Sequence, residues 1–99
     1  MRYSFHPEAK TELSFAVKYY ESRKLLLGRQ FATEVSLAIQ RIVAHPTMWP
    51  FLRPGVRRCL LHRFPFGIIY HIDEENNHLF ILAVMHLHRD PGYWSDRFR

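Results

Sequence analysis

The spacing of the apolar residues changes near residue 46, and this change strongly constrains the fold. Before that point, apolar side chains recur at the three- and four-residue intervals of amphipathic helices. After it, they form short runs typical of strands, separated by proline, glycine and polar residues. A chain that places two helices before most of its strands is predicted to have an α+β fold.

Two helices are predicted in the first half of the chain. The first begins at Pro7, a residue that suits the first helical turn. Its apolar face is formed by Ala9, Leu13, Ala16, Val17 and Tyr20. The second follows a break near Gly28 and ends at His45, because Pro46 disfavours a helical residue before it. Its apolar face is formed by Phe31, Val35, Ala38, Ile39, Ile42 and Val43.

The strands are predicted at residues 1–6, 57–63, 66–73 and 78–88. Residues 46–55 are expected to form a proline-rich loop, and Pro65 lies at a turn because it cannot donate to a strand ladder. Residues 90–99 are expected to form a short turn or helix that packs back on the sheet. The predicted order is β-α-α-β-β-β, with a helical hairpin on one face of a four-stranded, mostly antiparallel sheet.

The composition indicates one globular domain over residues 1–99. The chain is 47% hydrophobic and 15% aromatic, which is too apolar for a disordered segment. Cys59 is the only cysteine, so no internal disulfide forms, and its apolar neighbours are typical of a buried, inert thiol. No apolar run approaches the length of a membrane span, and the N-terminus lacks the apolar region of a signal peptide. We therefore expect a cytoplasmic protein.

The net charge of +5 favours an anionic partner, either nucleic acid or an acidic protein segment. A basic run that carries no acidic residue contains Arg53, Arg57, Arg58, His62 and Arg63. On a strand, Arg57 and Arg63 would share one face, and Arg58 and His62 the other. These arginines either bind phosphate or a target, or simply solvate an edge strand.

A second candidate site follows the last predicted strand, at His86 and Arg89. His86 and His88 are expected to share a strand face with Phe80, Leu82 and Val84. His86 could act as a general acid and Arg89 could stabilise phosphate charge, although a hydrogen-bonded structural histidine is the favoured interpretation. We expect no metal site here because no third ligand accompanies the two histidines, and we expect no cofactor.

A third candidate site combines Tyr93 and Trp94 with Arg89, Arg97 and Arg99. Aromatic rings among arginines can stack on bases or bind a protein target. The alternative is that Trp94 covers the edge of the core while the arginines are solvated. None of the three patterns is specific alone.

The chain resembles the RelE/ParE toxin superfamily over nearly its whole length. The resemblance lies in Phe5-His6-Pro7-Glu8-Ala9, Tyr19-Tyr20-Glu21, His45-Pro46, Arg57-Arg58, Phe64-Pro65-Phe66-Gly67-Ile68-Ile69-Tyr70, Leu82-Ala83-Val84-Met85-His86 and Arg89-Asp90-Pro91-Gly92-Tyr93-Trp94. It implies the same β-α-α-β-β-β fold and a toxin that a cognate antitoxin neutralises. It also implies operator DNA as an indirect partner, bound through the antitoxin complex.

The superfamily contains two kinds of toxin, and the resemblance leaves both open. ParE-like members, often described as plasmid-stabilisation proteins, inhibit DNA gyrase, whereas RelE-like members cut messenger RNA on the ribosome. The chain has no lysine in its C-terminal half and has Gly67, Ile69 and His71 where some ribonuclease members carry an arginine. These differences favour a ParE-like toxin. The alternatives are a RelE-like endoribonuclease and a non-toxic module that only binds the antitoxin and causes no growth arrest.

Overall fold

The computed structural model describes residues 1–98 and has an α+β architecture, as predicted. Its elements are β1 (Arg2–Phe5), α1 (Pro7–Arg23), α2 (Leu27–Ala44), β2 (Phe51–Arg53), β3 (Val56–Leu60), β4 (Phe66–Asp73), β5 (His78–His86) and a 3-10 helix (Ser95–Arg97). The strands form one sheet in the order β1-β5-β4-β3-β2. Strand β1 is parallel to β5, and the other neighbours are antiparallel.

The sheet has five strands, so the expected count of four is wrong. The additional strand is β2, which lies within the predicted proline-rich loop. It is only three residues long and lies at the edge of the sheet, where flanking prolines remove no ladder hydrogen bond. Gly55, with φ +80, forms the tight turn to β3.

The helical hairpin begins with a histidine cap and depends on a close approach at Gly28. His6 Nδ1 accepts a hydrogen bond from the backbone N–H of Glu8 at 3.1 Å, and Pro7 occupies the first turn of α1. A side-chain Cβ at Gly28 would lie 2.3 Å from the carbonyl oxygen of Val17. Gly28 therefore lies inside α2, where it lets the helices meet, and the break itself falls at residues 24–26.

The sheet has two apolar faces, which we name by what covers them. The helix-covered face packs against α1 and α2 and includes Cys59, Phe66, Ile68, Tyr70, Leu79, Ile81 and Val84. The tail-covered face packs against the tail, defined as residues 90–98, and includes Val56, Ile69, Leu82, Ala83 and Met85. The prediction that the tail packs back on the sheet is confirmed for these residues. Arg99 lies outside the described residues.

A β-bulge at Leu82 reverses the alternation of side chains along β5. Ile69 is opposite Ala83 and Tyr70 is opposite Ile81, which leaves Leu82 without a partner on β4. As a result Leu82 belongs to the tail-covered face, whereas Val84 belongs to the helix-covered face. His86 therefore lies in line with Val84, as expected, but not with Phe80 and Leu82, because the extra residue shifts the period between them. His88 lies beyond β5, which ends at His86, so the expectation that it shares this strand face is wrong.

Candidate functional site

A groove of about 430 Å³ lies where α1 crosses the end of β5. We call it the α1–β5 groove. It is lined by Glu12, Phe15, Ala16, Tyr19, Tyr20, Phe66, Val84, His86 and Arg89. The walls are largely apolar and aromatic, and the charged residues Glu12 and Arg89 lie next to each other in the lining.

Glu12 and Arg97 form an ion pair at the bulge of β5. Arg97 Nη2 lies 2.9 Å from Glu12 Oε2, and the two side chains are only 8% and 13% exposed, respectively. Glu12 Oε1 also accepts from the backbone N–H of Val84 at 3.0 Å, and Arg97 Nη1 donates to the carbonyl oxygen of Leu82 at 3.0 Å. Strand β1 pairs only with residues 78–81, so this ion pair satisfies backbone groups that the sheet leaves unpaired.

Arg89 extends the same charged group toward solvent. Its guanidinium lies 3.6 Å from Glu12 and 3.7 Å from the centre of the Tyr93 ring. Burial raises the pKa of Tyr93 well above its ordinary value, and the neighbouring Glu12 raises it further. Tyr93 therefore remains a neutral phenol at physiological pH, and its ring serves as a platform for Arg89.

His86 lies in the α1–β5 groove with its imidazole held by neighbours. Its Nδ1 accepts from the backbone N–H of His88 at 3.0 Å, which places the proton of the neutral ring on Nε2. The ring also packs edge-on against Phe66, with 5.0 Å between centroids. The structure thus brings His86 and Arg89 into one groove, as the proposed chemistry requires, but the carboxylate beside them is already paired with Arg97.

Three of the four arginines in the predicted basic run, Arg57, Arg58 and Arg63, do not converge. Arg57 donates to the carbonyl oxygen of Trp49 at 2.7 Å and stacks on Phe51. Arg58 is on the other face of β3, since its side-chain carbons approach Gly67. Because β3 ends at Leu60, Arg63 belongs to the following turn, where it donates to Gln30 at 2.9 Å.

The predicted face sharing within this run is therefore wrong in part. His62 and Arg63 lie beyond the strand, so strand alternation does not apply to them. Arg57 contacts the 47–49 loop, the carbons of Arg58 lie near Gly67 on the opposite face of the sheet, and Arg63 contacts α2.

Trp94 is part of the core and does not present its ring to a ligand. It is 1% exposed and packs among Val56, Ile69, Leu82 and Met85 on the tail-covered face. The interpretation that Trp94 covers the edge of the core is confirmed, but the expectation that the neighbouring arginines are solvated is wrong for Arg97, whose side chain is 8% exposed. Arg53 lies 5.5 Å above its ring and closes this region from outside.

Sequence reasoning missed Glu12, the aromatic wall of the groove and the structural role of Arg97. Phe15 and Tyr19 are 74% and 50% exposed, although both are large and apolar. A signal for them was present, since both lie outside the apolar stripe predicted for α1. Glu12 gave no signal, because a carboxylate on a helix is ordinarily solvated.

Two solved structures from toxin–antitoxin systems share this fold. A chain of the chromosomal ParDE toxin–antitoxin system from P. aeruginosa superposes with a TM-score of 0.62 at 18% identity, covering 88% of this chain and 96% of that chain. A chain of the toxin–antitoxin complex RelBE2 from Mycobacterium tuberculosis superposes with a TM-score of 0.60 at 24% identity, covering 86% and 95%. A search of curated protein sequences found no match.

The family model described as "ParE toxin of type II toxin-antitoxin system, parDE" matches residues 3–91. The match spans most of the chain, and the chain therefore belongs to the ParE toxin family. The resemblance to the RelE/ParE superfamily is thereby confirmed. No helix within the described residues is long and apolar enough to span a membrane.

Proposed function

We propose that the chain is a ParE-type toxin that inhibits DNA gyrase without cutting RNA and is neutralised by a cognate antitoxin. One observation carries the choice of target, namely that the tail-covered face is filled by apolar side chains under Trp94. A ribonuclease site on this face would need cationic and acid–base groups around an exposed phosphate position. The core of this face instead holds Ile69, Ala83 and Met85, each 2% exposed or less.

The dispersal of the basic residues supports the same choice. Cleavage of RNA by its own 2′-hydroxyl needs a base, an acid and cationic stabilisation within a few ångströms of one phosphate. Arg57, Arg58 and Arg63 contact three different parts of the fold, so they do not surround a common phosphate. In this proposal, these three arginines and Tyr93 bind the target or stabilise the fold. Trp94 packs beneath the tail and supports its surface.

The direct test is supercoiling of relaxed plasmid by purified gyrase and ATP in the presence of the purified chain. We expect supercoiling to stop at saturating chain, while relaxation by topoisomerase I, the specificity control, continues. Total RNA from cells that express the chain should remain intact. Normal supercoiling at saturating chain would overturn the gyrase proposal.

A ribosome-dependent endoribonuclease is the second candidate, favoured by the meeting of His86 and Arg89 in the α1–β5 groove. In this mechanism the 2′-oxygen would attack the phosphorus as its proton passes to water, and the bond from phosphorus to the 5′-oxygen would break. His86, with a second proton on Nδ1 in place of the bond from His88, would give its Nε2 proton to the leaving 5′-oxygen, and Arg89 would stabilise the charge on the phosphate. Replacing both residues with alanine should then abolish RNA cleavage and toxicity. The control is His78→Ala with Arg2→Ala, which removes the same residue types from a half-buried and an exposed position away from the groove. Full toxicity of the folded His86→Ala, Arg89→Ala variant would eliminate this candidate.

We also propose that the α1–β5 groove contributes to the antitoxin interface. The exposed rings of Phe15 and Tyr19 provide apolar area, and Arg89 is 52% exposed at the rim. Operator DNA is then contacted indirectly, through the antitoxin, and the complex forms in the cytoplasm. Absence of growth arrest when the chain is expressed alone would instead support the non-toxic binding module.

A further inference from the structure

The turn between α1 and α2 exposes two leucines side by side. Leu25 is 79% exposed and Leu26 is 49% exposed. Residues 21–26 are all exposed, so the turn protrudes from the helical hairpin and its side chains lie outside the core. We call residues 23–29 the hairpin tip. Single exposed apolar side chains are common on protein surfaces, but here two adjacent ones occupy one protruding turn.

Leu26 has a backbone conformation that favours glycine. Its φ of 69° lies in the left-handed region, where a β-carbon causes strain. Among residues 1–98, the only other non-glycine residue with a positive φ is Asn77, and asparagine tolerates this region better than leucine does. A leucine here costs stability both through strain and through an exposed apolar side chain. An outlier of this kind points to a function for the side chain.

The hairpin tip is held in one conformation by Glu21. Glu21 Oε2 accepts from the backbone N–H of Leu26 at 2.8 Å, and Oε1 accepts from that of Gly28 at 3.0 Å. The carboxylate therefore fixes the turn, and it is bound to neutral amides instead of to a cation. Because the turn that presents the leucines is already ordered, less entropy is lost when they bind.

Three exposed cations flank the two leucines in sequence, namely Arg23, Lys24 and Arg29. Among residues 1–98, no carboxylate forms an ion pair with any of them. Arg23 lies 5.8 Å from the centre of the Tyr19 ring, a contact that leaves its charge uncompensated. The hairpin tip thus combines exposed apolar side chains with positive charge that the fold does not neutralise.

This combination fits the surface of a lipid bilayer with anionic headgroups. Apolar side chains enter the boundary between headgroups and acyl chains, while lysine and arginine contact the lipid phosphates. A bilayer deforms around a protruding turn and needs no preformed pocket. A partner protein would need a pocket shaped for both leucines. Nucleic acid would bind the cations through its phosphates but would leave the leucines in water.

We propose that the hairpin tip binds an anionic lipid surface. Leu25 and Leu26 insert into the interfacial region of the bilayer, and the cations of the tip contact the phosphates of the headgroups. The contact is peripheral and reversible, because two leucines and a few cations supply far less affinity than a membrane-spanning helix does. The inference rests on the turn between α1 and α2 and is independent of the gyrase proposal.

The test is cosedimentation of the full chain with vesicles of phosphatidylcholine, either alone or mixed with phosphatidylglycerol. We expect binding to the mixed vesicles that weakens as salt is raised, and little binding to phosphatidylcholine alone. Lys24→Gln with Arg29→Gln should weaken binding at least about tenfold, since each cation near the surface contributes about fivefold. Leu25→Ser with Leu26→Gly should weaken it at least about fivefold through loss of inserted carbons. Glycine suits the φ of position 26, so this variant should remain folded.

Two matched controls alter other parts of the surface. Arg2→Gln with Lys10→Gln removes one arginine and one lysine from exposed positions in β1 and in the first turn of α1. Met48→Ser removes an apolar side chain that is 62% exposed beyond the far end of α2. Each control should change vesicle affinity by less than about twofold at moderate salt. Equal weakening by the charge control, or unchanged binding of the leucine variant, would overturn the proposal.

A fluorescent label reports insertion directly. Leu25→Cys can be labelled selectively with an environment-sensitive fluorophore, because the native Cys59 is 1% exposed. Its emission should shift to the blue with mixed vesicles, whereas the same label on Met48→Cys should not shift. No shift at position 25 would overturn the proposal. Supercoiling by gyrase, measured without lipid, should respond equally to the native chain and the leucine variant. Lost gyrase inhibition with retained vesicle binding would show instead that the tip binds a protein.

Discussion

The two faces of the sheet bury similar kinds of side chain but are covered in different ways. Helices α1 and α2, of 17 and 18 residues, cover one face. On that side Phe31 packs against the rings of Tyr20, Phe64 and Phe66 at centroid distances of 4.8 to 5.2 Å. The other face is covered by the tail, whose only regular element is a three-residue 3-10 helix.

The tail is attached to the sheet by side chains more than by its backbone. Among the described residues, the backbone hydrogen bonds of the tail close local turns, such as Tyr93 N to Asp90 O and Arg97 N to Trp94 O. Trp94 supplies the buried apolar contact, and Arg97 supplies the polar contacts to Leu82 and Glu12. A segment attached in this way can open at a lower free energy than the whole domain unfolds. We therefore expect the two faces to differ in local stability.

The largest effect should follow from Phe31→Ala on the helix-covered face. Phe31 is 0% exposed and joins α2 to the aromatic residues of the sheet and the turn. Removing the ring should lower the free energy of unfolding by about 4 kcal/mol. Urea denaturation followed by circular dichroism measures this loss, and it should appear as one global transition.

Exposed Phe15 offers the matched control for Phe31. Phe15→Ala removes the same ring from a side chain that is 74% exposed, so stability should change by less than about 0.5 kcal/mol. A large loss in the control, or a small loss for Phe31→Ala, would contradict the assignment of the core.

The next largest effect should follow from Trp94→Ala on the tail-covered face. Loss of the indole should cost about 3 kcal/mol, at the low end for a buried tryptophan because the tail can move away from the cavity. The distinctive result is local. Hydrogen exchange of residues 82–86 and proteolysis after Arg97 should accelerate more than global unfolding does. Uniform acceleration across α2 and β5 would show that both faces open together.

A smaller effect should follow from Glu12→Gln. The amide keeps an acceptor for the N–H of Val84 but leaves the 8% exposed Arg97 without its carboxylate. We expect a loss of about 2 kcal/mol, less than for a fully buried pair because solvent reaches this edge. Glu8 is also near Arg97, at 3.7 Å, but is 68% exposed, so Glu8→Gln should cost no more than about 0.5 kcal/mol. Equal losses for the two variants would contradict the special role of Glu12.

Most of the fold could be predicted from the sequence because it depends on periodic burial. The helical faces and β4 were predicted from apolar spacing, and β4 has the predicted bounds. Strand β2 escaped prediction because three residues between prolines have no period to detect. The bulge escaped it as well, because every residue from Ile81 to Met85 is apolar and either face would accept them.

The candidate site was less predictable because it depends on the bulge and on distant partners. The pairing of Glu12 with Arg97 joins residues 85 positions apart, and neither has a sequence motif around it. His86 and Arg89 were found because they are neighbours in sequence. Which partners Arg57, Arg58 and Arg63 contact depends on where β3 ends. The exact end of a strand is poorly marked in a sequence, so these contacts could not be predicted.

The smallest effect at neutral pH, and the sharpest comparison of the two faces, should come from two tyrosines whose hydroxyls are buried, Tyr70 and Tyr93. Burial raises the pKa of Tyr70 to about 12, and its hydroxyl donates to the carbonyl oxygen of Pro46 at 2.8 Å on the helix-covered side. Burial also raises the pKa of Tyr93 in the tail. An unfolded tyrosine titrates near 10, so the unfolded state loses its protons first as pH rises. Stability that is fully present below about pH 10 should therefore fall up to pH 12, by at most about 1.4 kcal/mol per pH unit for each tyrosine.

Single variants separate the two contributions. At neutral pH, Tyr70→Phe should cost only about 1 kcal/mol, the value of one hydrogen bond, and above pH 10 it should flatten the fall. Absorbance at 295 nm of Tyr70→Phe and Tyr93→Phe then follows each buried phenol in turn. If the tail opens locally, Tyr93 can ionise without global unfolding, so Trp94→Ala should bring its pKa toward 10 and leave that of Tyr70 raised. A parallel fall in both pKa values would mean that the tail and the helices open as one unit.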